Sequence, residues 1–217
     1  DRAFTHEDYS WTNSFPTGYY TQTLEGLDIK LNSSTDYGIW MRNNPMHIID
    51  LIIEDEIHAY ETEFNIDGLR SYTNEGFNSG LIRLYKTNNT DYHYYFNNLD
   101  ITASDDIIWM YNNQDNNSDQ YVYIYNSSLR TNSGNSDVFQ AGCCTGNSAV
   151  DNRIYIEGSF IEGDIDHRGL NEFDAKRTVF KNTRFDFSRD YSDWSTSFEM
   201  ENCVVENGYF YTDADGL

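Results

Sequence analysis

The side chains best placed to do chemistry in this chain are carboxylates that sit together. Asp105 and Asp106 are adjacent, in Ala103-Ser104-Asp105-Asp106-Ile107-Ile108. Two neighbouring carboxyl groups beside an apolar segment are what acid–base hydrolysis needs: one protonates a leaving oxygen while the other activates water. His167, in Asp164-Ile165-Asp166-His167-Arg168-Gly169, is the nearest histidine that could share a proton with them. The bland reading competes, because adjacent Asp pairs are common in a chain with 36 acidic residues. Three clusters carry the hard oxygen ligands that calcium requires. They are Asp115, Asn116, Asn117 and Asp119; Glu162, Asp164 and Asp166; and Asp213 with Asp215. None has complete EF-hand spacing, and solvated acidic loops account for them as well. The cofactor expectation is therefore none, with calcium as the one candidate.

Thiols and glycan acceptors are the other reactive groups. Cys143, Cys144 and Cys203 are the three cysteines. An odd number leaves a thiol for an intermolecular bond, so all three are cross-link candidates, with three reduced, buried small residues as the alternative. Cys143-Cys144 lacks the Cys-x-x-Cys partner of a zinc site. Asn32, Asn88, Asn116 and Asn126 each begin an Asn-x-Ser/Thr triplet, the acceptor for N-glycosylation.

The whole chain limits what these groups can serve. It has 217 residues and a formal charge of −22. Such a charge argues against nucleic acid, whose phosphates need Lys and Arg clusters, and against anionic membranes. No apolar run is long enough for a membrane-spanning helix. Aromatic residues make up 16% of the chain, which separates it from disordered acidic tails. The first residue is Asp1 rather than Met, as expected either of a secreted chain whose leader has been removed or of a trimmed sequence.

The elements that must position these groups come from a repeat. Ile124-Tyr125-Asn126-Ser127-Ser128-Leu129 reads apolar, x, Asn, x, x, apolar. The pattern returns with Asn, Gly or Asp at positions 26, 50, 68, 98, 126, 158, 182 and 202, at spacings of 18 to 32 residues. Short strands with period-two alternation flank it, such as Tyr121–Tyr125 and Arg153–Ile156. Many repeats add a third apolar piece: Gly38–Met41, Leu81–Tyr85, Ile107–Met110. The 24 Asn and two Pro fit a chain that turns often through left-handed backbone. The run 48–60 is ambiguous between a short helix and strands, and its β-branched content favours strands.

Self-similarity at this period predicts an all-β solenoid, a parallel β-helix or β-arcade of about eight irregular coils. Residues 24–217 form the solenoid; residues 1–23, which lack the repeat, form an arm or cap that could contact another subunit. A β-sandwich is the competing architecture.

This repeat grammar resembles the pectate-lyase-like superfamily, whose members include polysaccharide hydrolases, lyases and tailspikes. The resemblance implies carboxylates, or calcium with a basic residue, on one face. The Gly-His-Gly and Arg-x-Lys elements of the hydrolases are missing here, and only four Lys are present. In acidity and Tyr content the chain resembles the tubular sheath proteins of methanogenic archaea, which implies self-assembly with Cys143, Cys144 and Cys203 as cross-links. The expected function is a secreted, non-catalytic structural protein of a cell surface that forms a layer, sheath or filament with copies of itself. The alternative is a carbohydrate-active β-helix, either a hydrolase or lyase acting through Asp105, Asp106 and His167, or a tailspike-like polysaccharide binder.

Overall fold

The structure, a computed structural model, describes residues 4–7, 22–29, 38–43, 45–73, 80–112, 118–132, 136–142, 152–166, 170–186 and 197–211. Among these residues there is no helix. Every strand pairing is parallel, and two sheets result.

The narrow sheet stacks nine strands in chain order: Phe4–Glu7, Ile39–Arg42, Ile57–Tyr60, Ile82–Lys86, Ile108–Asn112, Asp137–Gly142, Asp164–Asp166, Arg184–Asp186 and Tyr209–Tyr211. The first of these comes from within residues 1–23, so part of that stretch extends the sheet. The broad sheet is built from bent segments. Met46–Ile53, Phe64–Thr73 and Tyr92–Ala103 run through the bend as single strands. Elsewhere two strands share the job, as in Gln120–Tyr125 with Ser128–Thr131, and Asn152–Glu157 with Phe160–Glu162. Each repeat passes through the broad sheet, bends, and finishes in the narrow sheet. The run 48–60 is accordingly strand, as its β-branched residues favour.

The sequence pattern has a direct physical cause at the bend. Gly26, Asp50, Gly68, Asn98, Asn126, Gly158 and Asn202 all have φ between 49° and 84°. One left-handed residue turns the chain without ending its hydrogen bonding. It also shifts the alternation of side chains by one place. In Phe96–Ile101 the inward residues are Phe96, Leu99 and Ile101; in Ile124–Leu129 they are Ile124, Ser127 and Leu129. Asn and Gly tolerate this conformation best.

The register corrects one landmark. Glu157 pairs Lys176 and Phe160 pairs Val179, so the residue opposite Gly158 is Arg177, not Asn182. Arg177 has φ 50° and lies in turn beside Asn202. Asn182 is also left-handed, at 51°, but occupies the next corner, between the broad and narrow sheets, in register with Asn207. The sequence pattern missed Arg177 because arginine is neither Asn nor Gly. Its guanidinium pairs with Glu157 of the preceding repeat.

The interior is one apolar cluster. Ile48, Ile66, Phe96, Ile124 and Ile156 line one inward column of the broad sheet, and Ile39, Ile57, Ile82, Ile108 and Phe139 line one of the narrow sheet. Burying a side chain of this size stabilises by about 1.5–3 kcal/mol. Lys86 is a polar exception with no exposed surface; its ammonium donates to the carbonyl and hydroxyl of Ser118.

Candidate functional site

Parallel stacking turns positions that are far apart in sequence into columns. Where the chain enters the narrow sheet, Asp106, Asp137 and Asp164 follow one another in successive repeats, and Arg184 comes next. Asp106 and Asp137 are 9% and 8% exposed, and neighbouring Asp166 is 2% exposed. Sequence reasoning singled out Asp106, Asp164 and Asp166 but not Asp137. The only available signal was its distance from Asp106, 31 residues, which is close to one repeat.

These carboxylates bind backbone. The Asp137 N–H donates to Asp106 Oδ1 at 2.7 Å, and the Asp106 N–H donates to Asp105 Oδ1 at 2.9 Å. The Arg184 N–H donates to Asp164 Oδ1 at 3.1 Å, and its guanidinium Nε lies 3.2 Å from Asp164 Oδ2. Asp55 plays the same part earlier in the stack, accepting from the Glu56 N–H at 2.8 Å. Crowding alters their acidity. Burial, then the charges of Asp166, Asp106 and Asp164, raise Asp137 to about 7, against the pull of Arg184. Burial is also the main cause that raises Asp106 and Asp55.

Chemically, the column can hold a proton near neutrality. The Asp105–Asp106 pair, however, spends acceptor oxygens on backbone N–H groups, Asp105 within its own turn and Asp106 on the next repeat. His167 lies outside the described residues. Among the described residues, no three of His, Cys, Asp and Glu converge as a metal-binding group. Asp119 accepts from Tyr121 Oη at 2.8 Å and pairs with Arg153 at 3.1 Å. Asp115, Asp213 and Asp215 lie outside the described residues.

A second kind of column is aromatic. On the outer face of the broad sheet, His93 stacks on Tyr121 at 4.4 Å between centroids, and Tyr95, Tyr123 and Tyr155 stack at 4.7 and 5.0 Å. On the narrow sheet Tyr60, Tyr85 and Tyr111 stack at 4.8 and 4.6 Å. Arginines close these columns, Arg42 over Tyr60 and Arg153 over Tyr121. Rings stacked this way cover the faces that they turn to one another.

A third column consists of hydroxyls at the bend. The Leu99 N–H donates to Ser127 Oγ, the Ser127 N–H to Ser159 Oγ, and the Ser159 N–H to Thr178 Oγ1, at 3.1, 3.1 and 3.4 Å. Cys203 occupies the same position in the next repeat, its Sγ 3.3 Å from the Ala175 carbonyl. Cys143 and Cys144 lie outside the described residues. Of the glycan acceptors, Asn126 is exposed at the bend and its amide donates to Asn97 Oδ1 at 3.0 Å. Asn88 uses its amide on Tyr92 Oη at 2.7 Å; Asn32 and Asn116 lie outside the described residues. A surface groove of about 640 Å³ also runs along the bend, lined in part by Ile49, Ile52, Asp67, Arg70 and Asn98.

No family model matches this chain, and neither a curated protein nor a solved structure matches it.

Proposed function

We propose that the stacked repeats form a parallel β-solenoid that serves as a secreted, non-catalytic structural protein of a cell surface. In this reading it associates with copies of itself through the end of its stack. The observation that carries the proposal is the state of the last described repeat. Among the described residues, Ser197–Glu201, Val204–Glu206 and Tyr209–Tyr211 each pair with a strand on one side only. Val204, Val205, Tyr209, Phe210 and Tyr211 are 38–56% exposed there. A parallel strand edge beside exposed apolar side chains is a template for further strands. The bend and corner residues Asn202 and Asn207 keep the left-handed geometry that such stacking needs.

The commitment of Asp105 and Asp106 to backbone N–H groups supports the non-catalytic part. Mutual coverage of ring faces in the Tyr columns supports a structural role for the aromatics, since sugar stacking uses free faces. Glu199, Glu201 and Glu206 rim the same end and are exposed. Like charges on both partners oppose contact at low ionic strength, so association strengthens with salt. Sedimentation velocity of the 217-residue chain across concentration, in low salt and in about 0.5 M salt, tests this. Growth of mass with concentration, enhanced by salt and lost on Val205→Lys with Phe210→Lys, is expected. A monomer under every condition would sink the proposal.

The groove along the bend favours a second reading, a polysaccharide-binding or polysaccharide-cleaving β-helix. Turnover across a panel of polysaccharides, abolished by Asp105→Asn or Asp106→Asn, would establish cleavage. Retention on an immobilised glycan that weakens with Arg70→Ala would establish binding at the groove.

A further inference from the structure

The tyrosine column on the broad sheet has a chemical property that a purely structural role leaves unused. Tyr95, Tyr123 and Tyr155 come from three successive repeats, in strands Tyr92–Ala103, Gln120–Tyr125 and Asn152–Glu157. Their rings are nearly parallel, tilted by 6° and 11°, with centroids 4.7 and 5.0 Å apart. Tyr95 is 44% exposed, and Tyr123 and Tyr155 are half-buried. The Tyr123 ring is covered on both faces, by Tyr95 and Tyr155, so its accessible part is its edge. The phenolic oxygen and the two carbons ortho to it belong to that edge.

We infer that this column is a site of oxidative coupling, in which Tyr95 joins Tyr123, or Tyr123 joins Tyr155, through an intramolecular dityrosine bond. The oxidant is a peroxide acting through a one-electron catalyst. Each of two phenols gives up one electron and its hydroxyl proton, forming two phenoxyl radicals. One ortho carbon of each ring bonds to the other. The hydrogen on each of those carbons then leaves as a proton while the phenoxyl oxygen regains one. In sum two tyrosines lose two electrons and two protons, and one hydrogen peroxide takes them up as two waters.

Three features favour coupling here. The parallel register holds the two rings face to face before oxidation, so the radicals need not diffuse to meet. Carboxylates stand ready to accept phenolic protons at the same surface: Tyr121 Oη donates to Asp119 Oδ2 at 2.8 Å, and the Tyr155 hydroxyl bonds to Glu172. Burial first, and nearby carboxylates after it, raise the pKa of Tyr121, Tyr123 and Tyr155, so the phenols are protonated near neutral pH and lose electron and proton together. His93 and Tyr121 stack beside the column, 6.1 and 6.5 Å from the Tyr123 ring, which lets a radical formed nearby reach it.

The test treats dilute native protein with hydrogen peroxide and a haem peroxidase, then follows dityrosine fluorescence. Cleavage before aspartates separates Tyr95 from Tyr123, because Asp100, Asp105, Asp106 and Asp119 intervene. Tandem mass spectrometry then looks for the joined peptides, lighter by two hydrogens. A Tyr95–Tyr123 or Tyr123–Tyr155 bond within one chain is expected, lost in Tyr123→Phe and in denaturant, and kept in Tyr72→Phe. The Phe variant preserves the ring stack, so loss of coupling there is not loss of fold. Undiminished dityrosine in Tyr123→Phe would overturn the inference, and so would coupling only between chains.

Discussion

The backbone N–H of Asp137 donates to the carboxylate of Asp106, one repeat away, at 2.7 Å. This bond closes the entrance to the narrow sheet and places one acid directly above another. The stack continues to Asp164 before Arg184 supplies a positive charge. Asp137 is raised to about 7 as a result. A carboxyl protonated in the folded state and ionised in the unfolded state favours folding below its unfolded value of about 4. That contribution falls as pH climbs and is gone above the folded value. The difference in pKa corresponds to about 4 kcal/mol at most. Denaturant unfolding of the native chain and of Asp137→Asn at pH 5, 6, 7 and 8 checks this. The variant should gain stability over the native chain progressively towards pH 8, and the two should converge at acid pH.

Removing the acceptor should harm more than removing the acid. Asp106→Ala leaves the Asp137 N–H without its partner in a site where Asp106 is only 9% exposed. A buried donor left unpaired costs about 1–3 kcal/mol. Asp105→Ala, at a half-buried position, removes only the acceptor for the Asp106 N–H and should cost less, about 1 kcal/mol. Midpoints of urea unfolding at pH 7 would rank the two. Equal losses would argue against a special role for the stack.

The bend can be probed at its two extremes. Gly68 has φ 84°, and an added Cβ would stand 2.6 Å from Asp50 Oδ1. Gly68→Ala should therefore destabilise by about 1–2 kcal/mol from the left-handed backbone alone, and by more from the contact. Arg177 carries the same geometry on an ill-suited side chain. Arg177→Gly relieves that cost and gives up only an exposed ion pair with Glu157, so it should stabilise by about 0.5–1 kcal/mol. Thermal unfolding of both variants would show shifts of opposite sign.

Tyr85 sits between Tyr60 and Tyr111 and touches both rings. Each stacked pair is worth about 0.5–1.5 kcal/mol beyond burial. Tyr85→Leu should lose about 1–3 kcal/mol and Tyr85→Phe much less. Chemical denaturation distinguishes ring stacking from a hydroxyl contribution.

Cys203 stands where earlier repeats carry Ser127, Ser159 and Thr178. Cys203→Ser should preserve stability to within about 0.5 kcal/mol. If this thiol also joins chains, the same variant removes a reducible dimer from non-reducing electrophoresis. A dimer that persists in Cys203→Ser would assign the bond to Cys143 or Cys144.

Much of the strand grammar was legible in the chain. Alternation in Tyr121–Tyr125 and Arg153–Ile156 marked strands, because successive side chains point to opposite faces. Asn98, Asn126 and Gly158 marked the bend, because few residues accept left-handed backbone. The third apolar pieces, at Ile39, Ile82 and Ile108, became the narrow sheet. The acidic site was only half legible: Asp106 and Asp164 stood out in their local clusters, and Asp137 did not.

That the chain turns at intervals and alternates between core and solvent follows from its residue order. Those are local properties, written in φ preferences and in the two-residue period of a strand. Which residues meet depends on the folded arrangement. Partners in a column are 18 to 35 residues apart, and the segments between them vary in length, so spacing cannot align them. Hydrogen bonds between neighbouring strands do, which is why Arg177 rather than Asn182 faces Gly158 and why Asp137 rests on Asp106.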